Sequence, residues 1–396
     1  MIDTLSSFAL SLAYFSGAFT ILFGALSVWG ARRFRFRRFA AHPAPPPVTI
    51  LKPIKGTDPD MYRNLSSFLS QDYAHFQVLF CIQNPEDPAL PVLKRLREDF
   101  PQVDMDIIVS KSRIGYNPKV NNLANAYPFA KHEILLISDS DVRVETDFLR
   151  RVAAPFADAR VGLVTCFYRI SHASGLANIL EGLSVNAQFL PQGLAAAFLM
   201  RLRFAMGAVI AVRRRAFDAC GGFQTLGQHL ADDFILGQSV VNAGYRLEFS
   251  DALVDCVPGS SNLAEHLTHL TRWTRTIRVC RPWGYAGLLL TQGFSLLTAA
   301  LLLFGPDVAT VAAWLAVGLW RVLTLAWIHL AYLSNPGILT QLPFVPLADW
   351  LQTGAWLLGF RSRSVLWRGE RYQILLGGRL VPRDKRASAS TVAVTP

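Results

Sequence analysis

Charge is scarce in this chain. Only 17% of its 396 residues are Asp, Glu, Lys or Arg, against 52% that are hydrophobic. The deficit is concentrated towards the two ends, which excludes an ordinary soluble composition. Cysteine is scarce as well. The five thiols, Cys81, Cys166, Cys220, Cys256 and Cys280, are odd in number and none lies in a C-x-x-C pair. That argues against a disulfide framework and against a structural zinc site, and suits a reducing, cytoplasmic setting. No G-x-G-x-x-G turn occurs, which argues against a nicotinamide or flavin dinucleotide. There are no internal repeats. A cleavable signal peptide would carry positive charge before its apolar core and small residues after it, and that layout is also missing.

What is present begins with Ala9 to Gly30, an uncharged stretch of 22 residues, close to the roughly 20 that a bilayer core requires. Arg32, Arg33, Arg35, Arg37 and Arg38 follow it, so it reads as a retained anchor. By the positive-inside rule these arginines hold the next region in the cytoplasm. The net charge of +11 suits an anionic membrane surface and would attract a nucleotide diphosphate. Nucleic acid is not expected, because the arginines cluster beside apolar spans rather than along a soluble face.

Towards the other end, Tyr285 to Gly305 and Val308 to Leu333 are apolar, and Phe344 to Phe360 is shorter and carries Asp349. The last segment carries Arg361, Arg363, Arg368, Arg371, Arg379, Arg383, Lys385 and Arg386. Keeping it cytoplasmic requires an even number of spans after the catalytic region. The expectation is two, with Phe344 to Phe360 re-entrant or interfacial. The chain thus divides into an anchor and basic linker (1–47), a catalytic domain (48–284), a transmembrane region (285–360) and a basic cytoplasmic tail (361–396).

Between the membrane segments the pattern alternates. Val48 to Leu51, Phe76 to Ile82, Asp106 to Val109 and Ile134 to Ile137 read as strands. Helices are expected from Asp58-Pro59 to about Gln71, from Pro88 to Phe100, and from Lys119 to Ala130. Such alternation predicts an α/β fold whose parallel sheet is covered on both faces, a Rossmann-like nucleotide-binding half. A second half, from Glu145 to about Arg281, has strands at Gly162 to Ile170 and Ala208 to Val212. Its stretch from Leu176 to Phe204 carries Glu181, Arg201 and Arg203, too polar for a span. It reads as interfacial helices or as ordinary core helices.

The chemistry-bearing residues follow this pattern. Asp139-Ser140-Asp141 comes directly after a buried strand, where ligands bind in open α/β sheets. Two carboxylates one residue apart can share a hard divalent cation, Mg²⁺ or Mn²⁺, that keeps open positions for phosphate oxygens; an isolated D-x-D is more often a solvated turn. Asp87, also just past a strand, suits a helix N-cap, contacts to a nucleotide's uracil or ribose, or both. Asp232 and Asp233 precede a helical pattern. They can be a capping pair, or one can serve as general base with its proton affinity raised by the other. His269, Arg272 and Trp273 share one helical face. Arg272 offers a fork for a diphosphate and Trp273 a wall for an acceptor pocket, although a membrane-interface belt uses the same residue types. Lys119 is a further cationic candidate for the nucleotide.

With Leu51-Lys52-Pro53-Ile54-Lys55-Gly56, Glu86-Asp87-Pro88-Ala89, Asn117-Pro118-Lys119-Val120-Asn121-Asn122-Leu123, Asp139-Ser140-Asp141, Ala231-Asp232-Asp233-Phe234 and Arg272-Trp273, the chain resembles a known family. It is similar to the ceramide glucosyltransferases and the related bacterial hopanoid-biosynthesis glycosyltransferases, which are membrane-bound GT-A enzymes. The resemblance covers roughly Val48 to Ala286. It implies that Asp87 contacts the nucleotide, that Asp139 binds metal and diphosphate, and that Asp233 is the base. The last motif usually opens with Gln or Arg, where this chain has His269. The Asn117-to-Leu123 segment is nearer the ceramide branch, and the run from Arg272 to Tyr285 is nearer the hopanoid branch.

The resulting expectation is an inverting hexosyltransferase. It would use a UDP-sugar donor bound through Asp87, Lys119, Asp139, Asp232 and His269, with a metal on Asp139 and Asp141. Its acceptor would be the primary hydroxyl of a membrane lipid, ceramide or hopanoid. Asp233, Arg272 and Trp273 would form the catalytic set, in a bacterial inner membrane with the catalytic domain cytoplasmic. The rivals are a processive polysaccharide synthase, which needs more spans for a polymer channel, and a non-catalytic lipid-binding protein on a disused transferase fold.

Overall fold

A computed structural model describes residues 2–382 except 41, 43, 172, 261, 368 and 369. Eight strands form one sheet: β1 (Val48–Pro53), β2 (Phe76–Ile82), β3 (Asp104–Val109), β4 (Ile134–Ser138), β5 (Val142–Arg143), β6 (Val161–Arg169), β7 (Val209–Arg213) and β8 (Arg246–Cys256). Their order across the sheet is β3-β2-β1-β4-β7-β6-β8-β5. The first four strands are mutually parallel. From β4 onward the sheet is mixed: β7 runs antiparallel to β4 and β6, and β5 antiparallel to β8. The parallel expectation therefore holds for the first half, and the second half adds antiparallel strands to the same sheet.

Alternation along each strand divides the core. Ile50, Val78 and Phe80 face one side, with Leu65 and Phe68 of the Met61–Leu69 helix and Leu93 and Leu96 of the Leu90–Asp99 helix. Leu51, Leu79 and Ile137 face the other, against Val120 and Leu123 of the Pro118–Ala126 helix. Each such side chain contributes on the order of 1.5–3 kcal/mol when removed from water. Chain order reverses at β1, whose neighbours are β2 on one side and β4 on the other. This is the switch point where α/β sheets open a crevice beyond the strand ends.

Three helix starts differ from expectation, one of them Leu90 in place of Pro88. Asn117 caps the Pro118–Ala126 helix through its side chain, which accepts from Val120 N at 3.1 Å, with Pro118 at the first helical position. The helix expected from Asp58-Pro59 begins only at Met61, after Asp60 adopts a left-handed φ of 54°. Asp58 is thereby released from capping.

The Ile2–Phe36 helix is long and apolar enough to span a bilayer, as is Val308–Tyr332. The run at 285–305 is different: Pro282–Thr291 and Gly293–Phe304 meet at a 62° bend, so it is a broken span or a re-entrant pair. The first helix satisfies the break. Ser16 Oγ donates to Leu290 O at 3.0 Å, and Thr20 Oγ1 accepts from Gly293 N at 3.1 Å. That is how interrupted helices are tolerated in an apolar medium. Gly293 packs directly on the Ser16–Gly17 backbone, where a Cβ would collide. The Val345–Gly359 helix has only 15 residues, too few to cross a bilayer core. It buries Asp349 in a two-bond pair with Arg321, 2.5 Å for each bond, and Gln188 Nε2 donates to the same carboxylate at 2.6 Å.

The stretch from Leu176 onward forms helices Leu176–Leu183 and Leu190–Leu199 joined by a π-helical turn. They bury Leu180, Leu183, Leu190 and Leu194 against the sheet and the membrane helices while Leu199 and Met200 stay exposed. Part of the basic final segment is also folded. Ser364–Trp367, Glu370–Ile374 and Leu380–Pro382 make a small antiparallel sheet. Its Val365, Tyr372, Ile374 and Leu380 pack on Leu230 and Val279. Arg368, Arg383, Lys385 and Arg386 lie outside the described residues.

Candidate active site

Two strand ends meet at the switch point. Lys52, at the end of β1, is fully buried and donates to Ser138 Oγ at 3.0 Å and to the Asp139 carbonyl at 2.7 Å. Its ammonium lies 3.3 Å from the centre of the Phe68 ring. Burial lowers its pKa to about 7, against the opposing pull of Asp139 and Asp141. The loop after β4 is braced from beneath by this lysine. It is braced from the side by Asp58, whose carboxylate accepts from Ser140 Oγ. Val257 N, just past β8, donates to Asp141 O at 2.9 Å.

Negative charge is crowded here. Burial, and then the Asp139 and Asp58 carboxylates, raise the Asp141 pKa to about 7. Lys119, near the start of the Pro118–Ala126 helix, places Nζ 2.6 Å from Asp139 Oδ1 and 3.8 Å from Asp232 Oδ2. Burial works against its charge, but Asp139, Asp232 and Asp233 hold it well above the ordinary lysine value. Asp232 and Asp233 open the Asp232–Asn242 helix. Burial and the neighbouring Asp232 charge raise Asp233 to about 7; burial also raises Asp232. Asp233 Oδ1 accepts from Phe234 N at 2.7 Å. Burial, and then the nearby Cys256, Asp233, Asp139 and Asp141, push the phenol of Tyr168 on β6 well above its ordinary value.

Asp87 is 7% exposed and clamps two loops. Its oxygens accept from Gly56 N at 3.1 Å each and from Ala89 N at 2.9 Å. Gly56 adopts φ 73° there, a conformation glycine enters without steric cost. Asp87 is not the helix N-cap, a position held by Ala89 without a side-chain cap bond; it forms an Asx-type turn ahead of Leu90 instead.

Arg272 and Trp273 lie on the Leu263–Cys280 helix. Two further arginines of this helix are engaged within the fold. Arg275 donates to Ser364 O at 2.6 Å, and Arg278 to Ser362 O at 3.2 Å. His269, one turn before Arg272, pairs through Nδ1 with Glu181 Oε1 at 3.2 Å. The structure therefore brings Lys119, Asp139, Asp141, Asp232 and Asp233 together, sets Asp87 in the adjoining loop, and turns His269 towards Glu181.

Sequence reasoning overlooked Lys52, Asp58, Tyr168 and Glu181. Lys52 had a signal, a lone lysine closing a buried strand. Glu181 had one too, a carboxylate inside an apolar stretch. Tyr168 had none.

Among the described residues no group of three or more His, Cys, Asp or Glu is arranged to hold a metal on its own. Asp139 and Asp141 nevertheless fit one. The side chain of Asp139 is 38% exposed, the donors are all carboxylate oxygens, and their mutual repulsion is incompletely offset. Mg²⁺-type sites commonly take one or two carboxylates and complete their shell with water and substrate phosphates.

Several known proteins are similar to this chain. Ceramide glucosyltransferase 3 of Caenorhabditis elegans is 25% identical over 354 residues, 85% of this chain and 74% of that protein. Ceramide glucosyltransferase of Komagataella phaffii is 40% identical over 124 residues, 30% of this chain and 24% of its own. The Candida albicans ceramide glucosyltransferase is 39% identical over 115 residues, 26% and 21% respectively. Among solved structures, a mannosyltransferase from Pyrobaculum calidifontis in complex with GDP-Man and Mn²⁺ aligns over 88% of this chain and 97% of its own. Its identity is 19% and its TM-score 0.49. The pattern of glycosyl transferase family 21 matches residues 12–380, nearly the whole chain from the first membrane helix to the small final sheet. The chain belongs to that family, as a membrane glycosyltransferase of GT-A type.

Proposed function

We propose that this protein moves a hexose from a UDP-sugar to the primary hydroxyl of a ceramide-type membrane lipid, with inversion at the anomeric carbon. The observation that carries the reading is Lys119, whose ammonium bridges the strand-end carboxylate Asp139 and Asp232, which opens a helix beside Asp233. Acid groups from distant stretches thus converge where a nucleotide's phosphates and an attacking hydroxyl can both reach. The names of the curated relatives support ceramide as acceptor class and glucose as the transferred sugar.

Asp139 and Asp141 would hold a Mg²⁺ or Mn²⁺ ion, which when bound would offset charge on the departing diphosphate. The loop clamped by Asp87 borders the nucleotide's base and ribose. Lys119 balances the carboxylates while the phosphates enter, and Arg272 offers its planar fork to the diphosphate. Asp233 takes the proton from the lipid hydroxyl as that oxygen attacks. A carboxylate whose pKa lies near 7 suits this work, because general bases are most effective close to the operating pH. Trp273 walls the acceptor side.

Residues 48–284 form the catalytic unit, between the anchor (1–47) and the membrane region (285–360). The unit and the basic segment lie on the cytoplasmic face of a bacterial inner membrane, beside its anionic headgroups. The decisive experiment is mass spectrometry of membrane lipids from cells with and without the protein, joined to transfer from UDP-glucose to ceramide by purified protein in vesicles. A hexosylceramide that appears only with the protein is expected. An unchanged lipid profile, or a glycosylated hopanoid instead, would overturn the acceptor assignment.

A further inference from the structure

The Leu176–Leu183 helix faces the Leu263–Cys280 helix through a buried polar contact. Glu181 is 6% exposed. One of its oxygens accepts from Ser260 N at 3.0 Å, and the other lies 3.2 Å from His269 Nδ1. Burial pulls the Glu181 pKa upward, but the hydrogen bonds from His269 and Ser260 outweigh it and leave the carboxyl below its ordinary value. An ionised carboxylate can only accept. Nδ1 of His269 must therefore carry the proton, and in a neutral ring Nε2 then holds a lone pair. His269 remains partly open, with 37% of its side chain exposed.

A short length of chain ties the dyad to the candidate active site. Val257 N bonds to Asp141 O, and Ser260 comes only three residues later, about 11 Å of chain at full extension. Arg272 and Trp273 lie three and four residues beyond His269, on the same helical face. Gln or Arg at position 269 could donate to a diphosphate. A neutral imidazole whose proton points at Glu181 cannot, because phosphate oxygens need donors. It can accept from a hydroxyl.

We propose that Glu181 orients His269 so that its Nε2 accepts a hydrogen bond from a hydroxyl of the lipid acceptor. His269 is then an acceptor-binding residue and Glu181 a positioning residue. The inference rests on the lipid-transfer reading above and assigns residues to its acceptor side. It separates His269 from the donor.

The test compares full-length Glu181→Gln, His269→Leu and His269→Gln with wild type in vesicles, using UDP-glucose and a short-chain ceramide. The KM for the ceramide should rise about tenfold in Glu181→Gln and in His269→Leu. His269→Gln, which keeps an acceptor oxygen, should recover part of that loss. The KM for UDP-glucose and its dissociation constant by calorimetry should stay within twofold in all three. Donor binding also reports that the variants are folded. A parallel rise in donor KM, or an unmoved ceramide KM, overturns the dyad while leaving the transferase reading intact. No transfer to ceramide by the wild type overturns both.

Discussion

Two buried clusters of charge invite comparison. In the membrane region, Arg321 meets Asp349 through two hydrogen bonds and Gln188 completes the carboxylate's shell; one positive group balances one negative group. At the strand ends, Asp58, Asp139, Asp141, Asp232 and Asp233 outnumber Lys52 and Lys119, and three of those carboxyls are displaced upward in pKa. Burying unbalanced charge is costly unless something compensates. The balanced cluster fastens helices, whereas the unbalanced one raises the proton affinity of its own carboxyls.

Removing a carboxylate should separate the two clusters most sharply. Asp233→Asn should lower turnover by about 10²- to 10⁴-fold, read as product formed per minute in vesicles. Its thermal midpoint at pH 8 should hold or rise, since a charge that the fold disfavours has gone. A lower midpoint would make Asp233 a structural residue like Asp349. The opposite signature is expected in the membrane. Asp349→Ala leaves Arg321 buried without its partner and should cost about 3–5 kcal/mol of stability, seen in thermal unfolding in detergent. Replacing the pair together by Arg321→Met with Asp349→Leu should restore much of it. A double variant as unstable as the single one would mean that the pair does more than fasten helices.

Titration sharpens the contrast with a smaller effect. A raised carboxyl pKa gives stability that is present below the unfolded value and is lost as pH rises through the folded value near 7. Activity runs the other way, because the base must be ionised. Initial rates should fall about tenfold per pH unit below 7, and a flat profile from pH 5 to 8 would rule out Asp233 as the base. The smallest effect is expected at Arg37 and Glu248, an ion pair of 2.6 Å with about a third of each side chain exposed. Arg37→Ala should change stability by less than about 1 kcal/mol in the same unfolding assay.

The local parts of this molecule were legible from its residues. Val78 to Ile82 is an unbroken apolar run, and the strand expected from Phe76 to Ile82 has those bounds. Asp139 and Asp141 stood out because a buried strand precedes them. What escaped depends on distant neighbours. Lys52 reaches Asp139 only because β1 lies beside β4, and strand order is not a local property. Asp58 looked like a cap, since Asp-Pro is a common helix opening, but its carboxylate is drawn 82 positions away to Ser140. Glu181 and His269 are 88 residues apart and meet through helix packing. The small sheet at 364–382 was hidden by its arginines, although alternate positions are apolar and bury.

The Ile2–Phe36 helix does not end at the lipid. Its Ala31 and Phe34 enter the same core as Phe167 of β6 and Phe249 of β8, and Arg37 beyond it grips Glu248. The first helix and the sheet therefore share one core and one ion pair, so the two are fastened to each other at the helix's own end.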